Sequence, residues 1–227
     1  MPPEADIAGA APNASDIVDA VFAISCRALP VDHAYALSQA LGAAMPWFAG
    51  DARVGMHTIH GAESGAGWMR PEGPDALLQL SRRAKLALRL PRERFDDAAA
   101  LVGCTLHVAG WPLRVDRLAL RPLSKITTLF SRCVILGAME EESAFLAAAA
   151  AELDALGIKA ERMLCGRVTR LATPARGYQA RSLMLAGLAR EGSLRLQQVG
   201  LGAERKLGCG LFIPHKDIAD LRSRSDD

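Results

Sequence analysis

Short runs of alternating apolar and polar residues take turns along this chain with stretches whose apolar positions recur every three or four residues. Ile17 to Ser25 is apolar and β-branched and predicts a strand. Leu29-Pro30-Val31-Asp32 stops it, and Asp32 is suited to cap a following helix. Leu37, Ala40, Leu41 and Ala44 then fall at helical spacing, and Pro46 ends the run. Val54 to Ile59 predicts a second strand, followed by a Gly-rich loop from Gly61 to Gly73. Leu77 to Leu90 reads as a strand, or as a hairpin with Arg82-Arg83 near its middle. Within it Leu86, Leu88 and Leu90 alternate with Lys85, Ala87 and Arg89. Pro91 opens a helix through Ala99 and Leu101 that closes at Gly103. Thr105 to Val108 and Trp111 to Val115, around Ala109-Gly110, read as a hairpin; Leu118 to Pro122 ends the first half.

The second half repeats the order. Thr128 to Leu136 predicts a strand. Glu140-Glu141-Glu142 starts a long Ala-rich helix, with acidic residues at its electropositive end, and Gly157 stops it. Arg162 to Leu171 and Gln179 to Leu188 read as strands joined by the Pro174–Gly177 turn. Ser193 to Val199 reads as a short helix, and Gly210 to Pro214 as a closing strand. Each half can thus be written β-α-β-β-α-β, the ferredoxin-like order, so an α+β protein of two tandem ferredoxin-like domains is the expectation, although alternating strands and helices alone would also fit other α/β folds. The expected division is a disordered lead-in over 1–14, domains over 15–124 and 125–216, and a charged tail over 217–227.

Half of the 227 residues are apolar, enough for two small cores. The most apolar stretch, Ala144 to Ala151, is too short to span a bilayer, so no membrane partner is expected and the protein is expected in the cytoplasm. The five cysteines are odd in number and lack zinc-like spacing, so they are expected to be reduced thiols; neither metal nor cofactor is implied. Charge changes the picture more. Residues 1–158 carry 14 basic and 18 acidic side chains, whereas residues 159–216 carry 11 basic and 3 acidic ones. A basic C-terminal half suits a polyanion. Only 11 aromatic residues are present, so contacts to phosphate and shape are expected rather than bases stacked on a sheet.

The most specific segment is Gly200-Leu201-Gly202-Ala203-Glu204-Arg205-Lys206-Leu207-Gly208-Cys209-Gly210-Leu211-Phe212. Gly200, Gly202, Gly208 and Gly210 bracket the Arg205-Lys206 pair. Such a loop can bring backbone N–H groups up to a phosphate, or can be a tight structural turn with a bulge. No dinucleotide fingerprint or P-loop fits it. This segment resembles the Gly-rich loop of the repeat-processing CRISPR endoribonucleases, within the superfamily of repeat-associated RNA-binding proteins. Pro30-Val31-Asp32-His33-Ala34-Tyr35-Ala36-Leu37, Pro46-Trp47, Val54-Gly55-Met56-His57-Thr58-Ile59-His60-Gly61 and Ser193-Leu194-Arg195-Leu196-Gln197 agree with it. Together they look most like the myxobacterial type I variant, over residues 17–214.

The resemblance implies two ferredoxin-like domains and metal-independent cutting of CRISPR precursor RNA within the repeat. It implies attack by a 2′-hydroxyl, leaving a 2′,3′-cyclic phosphate and a 5′-hydroxyl. It also implies retention of the product, with other subunits of an interference complex as partners. The alternative is a non-cleaving RNA-binding subunit of such a complex. His33, next to the proposed cap, is the first candidate for the base; a helix N-terminus disfavours its charged form. As a core histidine it would serve packing instead. His57 is the second candidate. His60, three residues on along the strand, is expected on the opposite face. The general acid is open between Lys206, His57 or another group. Candidate RNA-binding residues are Arg82, Arg83 and Lys85; Arg167, Arg170, Arg176 and Arg181 around the second-half hairpin; and the Gly-rich loop.

Overall fold

The computed structural model describes residues 17–61, 71, 73, 76–137 and 141–215. The expected lead-in, most of the Gly61–Gly73 loop and the charged tail lie outside the described residues. The first half runs β1 (Ile17–Ser25), β2 (Ala28–Pro30), α1 (Ala34–Ala44), α2 (Pro46–Gly50), β3 (Gly55–His57), β4 (Leu77–Gln79) and β5 (Lys85–Pro91). It continues with α3 (Phe95–Ala98), flanked by 3₁₀ turns, then β6 (Thr105–Val108) and β7 (Trp111–Pro122). The second half runs β8 (Leu129–Val134), α4 (Glu142–Ala155), β9 (Arg162–Ala172), β10 (Gly177–Ala186), α5 (Arg190–Val199), a 3₁₀ turn (Arg205–Leu207) and β11 (Ile213–Pro214).

The first sheet has the order β3-β5-β1-β7-β6 and the second β11-β8-β10-β9. Leaving aside the β6 hairpin strand, both place their four main strands in the same relative order, with antiparallel pairing. This is the ferredoxin-like arrangement twice over. Strand alternation sets the layers. On β1, Val18, Ala20, Phe22 and Ile24 are buried in a core shared with Leu37 and Leu41 of α1 and Leu101. In the second half Leu183 and Leu185 pack with Phe145, Ala149 and Leu153 of α4 and Leu196 of α5.

The opposite face of β1 carries Asp19, and here the halves are tied. Arg89, paired with Asp19 across β5, is 1% exposed. Its Nε donates to Asp19 Oδ1 at 2.8 Å, and one terminal nitrogen donates to the backbone oxygens of Gln197 (3.0 Å) and Phe212 (2.7 Å). Arg121 adds a 3.0 Å bond to Asp19 Oδ2. The linker is laced down as well: Gln197 exchanges hydrogen bonds with the backbone of Ser124, and Ser193 Oγ donates to Ile126 O.

Three expectations need correction. Residues 77–90 are not one strand or hairpin: β4 pairs with β2, while β5 joins the main sheet. Ala76 O accepts the Val31 N–H, so the segment before β4 folds back on the chain around Pro30. Asp32 does not cap α1, whose N-cap is His33; its carboxylate instead accepts the Ala172 N–H of the second half at 3.4 Å. The cysteines are not all thiols, since Cys133 and Cys209 form a disulfide that ties β8 to the Gly-rich loop.

Burial alone would raise the Asp19 pKa, but Arg89 beside it holds the carboxyl well below the usual range. Its stabilisation is therefore present above about pH 3.9, the unfolded value, and is lost as pH falls towards the depressed folded value. Asp19→Asn leaves the Arg89 charge buried without its counter-charge and is expected to cost about 3–5 kcal/mol in urea unfolding at pH 7. Near pH 2 the difference from the parent protein shrinks.

A candidate active site in the cleft between the halves

The segment leaving β3 faces β8 of the second half across a cleft. Thr58 and His60 on one wall, and Phe130 and Arg132 on the other, are common to its two chambers of about 240 and 150 Å³. The larger chamber also takes in His33, Arg170 and Leu207; the smaller takes in His57, Arg121 and Gly208. Both halves are needed to form it.

His33 lines the cleft but is 3% exposed, and its ring is engaged on both sides. Nδ1 lies 2.9 Å from Pro30 O, and the Ile59 N–H donates to Nε2 at 3.1 Å. That pairing requires the neutral tautomer with the proton on Nδ1, which donates to the carbonyl. The Nε2 lone pair that a base would use already accepts a backbone N–H. The geometry therefore makes His33 a strut between the start of α1 and the segment that carries His57 and His60. The first candidate base of the sequence is thus held at both ring nitrogens in this structure.

His57 ends β3 on the same face as Asp19 and is 18% exposed. Its Nε2 lies 3.6 Å from Asp19 Oδ1, beyond hydrogen-bond reach but close enough for the carboxylate to orient the ring. Burial lowers the His57 pKa, Asp19 opposes this, and the Arg89 and Arg121 charges reinforce it. A neutral imidazole results, able to take a proton. His60 does not lie on the opposite side, contrary to the alternation expected of a strand: β3 stops at His57, and the irregular segment through Thr58 and Ile59 leaves His60 in the cleft with His57. Its Nε2 lies 3.0 Å from Thr58 Oγ1.

Arg121 and Arg132 were not singled out in the sequence. Arg132 had a signal, a charge inside the apolar run of β8. The register slips by one residue between Ser131 and Val134 opposite β10, and such a bulge re-aims side chains. Arg121 sits directly across from Asp19 on β7.

The remaining candidates are scattered. Arg170 lines the cleft, and Arg167 is exposed on the same strand. Arg176 stacks on Tyr178 and lies 3.4 Å from Glu204. Arg181 is 8% exposed and donates to Gly166 O at 2.8 Å, which braces β9. Arg82, Arg83 and Lys85 are exposed on the first half, away from the cleft.

The Gly-rich loop is a joint between the halves. The N–H groups of Gly200, Leu201, Gly202, Ala203, Leu207, Gly208, Cys209 and Gly210 all donate within the protein, so they do not form an open phosphate cradle. Arg205 donates to Gln198 O, Val199 O and Arg53 O, closing the end of α5 against the first half. Lys206 donates to Ala49 O of α2, which leaves it outside the cleft as a general acid. Gly208 has φ 85°, and a Cβ there would stand 2.6 Å from Thr58 Cγ2. At Gly210, with φ 70°, a Cβ would collide with Leu201 O.

Among the described residues no three or more His, Cys, Asp or Glu side chains gather as a metal site. No helix there is long and apolar enough to cross a membrane.

The family model described as Cas6 Crispr matches residues 18–217. The CRISPR-associated endonuclease Cas6 of Myxococcus xanthus (strain DK1622) is 32% identical over 211 residues, covering 93% of this chain and 87% of that protein. Among solved structures, a CRISPR associated protein Cas6 superposes with TM-score 0.61 at 12% identity, over 89% of this chain and 100% of that one. A Cas6-related protein from Pyrococcus furiosus gives 0.61 at 10% identity, over 88% and 99%. The CRISPR endoribonuclease Cse3 bound to a 19-nucleotide RNA gives 0.51 at 13% identity, over 87% and 97%. The structural likenesses establish the shared fold.

Gly208→Ala is expected to lower stability by about 1–3 kcal/mol, because it combines a left-handed backbone with a collision at the joint. His33→Ala is expected to cost on the order of 2 kcal/mol by leaving the Ile59 N–H unsatisfied in the interior. Both are read by urea unfolding, and an unchanged midpoint for either would mean that these contacts do not hold the cleft.

Proposed function

Since the chain belongs to the Cas6 CRISPR family, we propose that it cuts CRISPR precursor RNA within the repeat, with the scissile phosphate in the cleft between the halves. The observation that carries this reading is the convergence of two histidines and two arginines, His57, His60, Arg121 and Arg132, on one cleft. Imidazoles suit proton transfer and guanidiniums suit a developing anionic phosphorane; no step in this scheme calls for a metal.

In this reaction His57, neutral and oriented by Asp19, takes the proton of the 2′-hydroxyl upstream of the cut. The 2′-oxygen attacks the adjacent phosphorus while Arg121 and Arg132 balance the charge on its equatorial oxygens. His60 hands a proton to the departing 5′-oxygen. The products are a 2′,3′-cyclic phosphate and a 5′-hydroxyl. His33 supports the reaction by holding the Thr58–His60 segment in place. Arg170, at the rim, and Arg167 beside it on β9 hold the phosphates of the repeat stem. The cut repeat stays bound as part of a mature guide RNA, on which other subunits of a cytoplasmic interference complex assemble.

The test is single-turnover cleavage of the cognate repeat RNA in EDTA, with and without a 2′-deoxy group at the cut. The parent protein is expected to cut the first substrate and spare the second. His57→Ala is expected to slow cutting by about 10²–10⁴-fold, the usual worth of a general base, with repeat binding within about threefold of the parent. Tight binding with no cutting by the parent protein would instead mark a non-cleaving RNA-binding subunit.

Because the His57 pKa is lowered, the base remains deprotonated below the ordinary histidine value. The cleavage rate is expected to hold between pH 7 and about 6.5 and to fall on its acid limb only below that. An acid limb centred above pH 7 would remove His57 from this role.

A further inference from the structure

The face of the first sheet that carries Asp19 does not end at the cleft. It continues along β1 through Val21 and Ala23 to Ser25, ~20 Å from Asp19 at about 3.3 Å per residue. At that far end is a groove of about 1060 Å³, lined by first-half residues alone and sharing none with the cleft. Arg27, Arg82, Lys85, Arg114 and Arg117 line it, with Trp111 in its wall. The one carboxylate among its lining residues, Asp116, is already engaged by Ser25 Oγ at 2.8 Å and Arg114 Nε at 3.3 Å.

The backbone assembles this set of charges from three separate segments. Lys85 lies opposite Ala23, and Arg114 opposite Ser25, so both flank the same end of β1. Arg114 and Arg117, three apart, would face opposite ways on a regular strand. Between Phe22–Leu118 and Ile24–Val115 the register gains one residue on β7, and this bulge brings both into the groove. Between groove and cleft, the floor of the face is Val21, Ala87 and Ala119, small side chains over which a strand can run.

We propose that this groove is a second RNA site, which takes a single-stranded segment flanking the repeat hairpin while the hairpin occupies the cleft. The proposal rests on the repeat-RNA reading above. Five cations in one trough match a run of phosphates, and Trp111 offers the edge of a stacking platform of the kind used for single strands. One RNA held at two points ~20 Å apart, a spacing set by the ~3.3 Å rise per residue along β1, gains from effective concentration without further contacts.

The test compares the parent with Arg114→Gln/Arg117→Gln, and with the milder Arg117→Gln alone. A single-stranded uridine 10-mer is titrated at several salt concentrations, alongside cleavage of a minimal repeat hairpin. The double variant is expected to bind the 10-mer on the order of tenfold more weakly and to lose about 1.4 from the salt slope, at ~0.7 per phosphate contact. Hairpin cleavage is expected at the parent rate, which also shows that the variant folds, and Arg117→Gln should give about half the slope change. Unchanged 10-mer affinity and slope would overturn the groove. So would a parallel loss of hairpin cleavage in the milder variant, or equal, variant-sensitive binding of a poly-glutamate peptide, which would mark an acidic protein partner. Failure of the parent protein to cut the hairpin would sink the proposed function, while the 10-mer still decides the groove.

Discussion

A guanidinium buried between two sheets is the constraint on which the site depends. Arg89 cannot leave its charge uncompensated at 1% exposure, so it collects Asp19 from its own sheet and two backbone carbonyls from the other half. Those carbonyls belong to α5 near its end and to the last residue of the Gly-rich segment. One side chain thereby fixes how the second half lies on the first. Apolar packing could bring the halves together with less directional control; hydrogen bonds to fixed carbonyls define a register.

The cleft follows from that register. Asp19 is at once the counter-charge of Arg89 and the carboxylate beside His57, so the group that closes the interface also orients the candidate base. The Gly-rich loop closes the other side. Its glycines allow close passage of backbone against Thr58 and Leu201, while Arg205 and Lys206 reach across to backbone carbonyls of the first half. The loop serves the site by building its wall, and the arginines that line the cleft come from β7, β8 and β9 instead. A disulfide between Cys133 and Cys209 joins that wall to β8, the strand that presents Arg132.

Period-two and helical patterns made the architecture legible. β1, β5, the β6–β7 hairpin and the β9–β10 pair lie where alternation placed them, because each has one face in a core. The site was legible only in part. His57 fell inside a motif, and His60 was misplaced because alternation was carried past the end of a strand only three residues long. His33 drew attention as a polar residue at a helix start. Its engagement by Pro30 and Ile59 depends on a contact 26 residues away, which no local pattern encodes. Arg132 and Arg117 were hidden by bulges, since a one-residue slip reverses which face a side chain takes. Arg181 and Arg205 stood out by their charge in a basic half, and the bonds they make to backbone carbonyls depend on the fold rather than on any local pattern.

The central claim is that the bond to be cut lies between the Thr58–His60 segment and β8. It is tested most directly by placing one photoreactive 4-thiouridine next to the cut in a non-cleavable 2′-deoxy repeat RNA and mapping the adducts by mass spectrometry. Adducts are expected within residues 57–60 and 130–132. Adducts confined to other surfaces, with those two segments unmodified, would contradict the account.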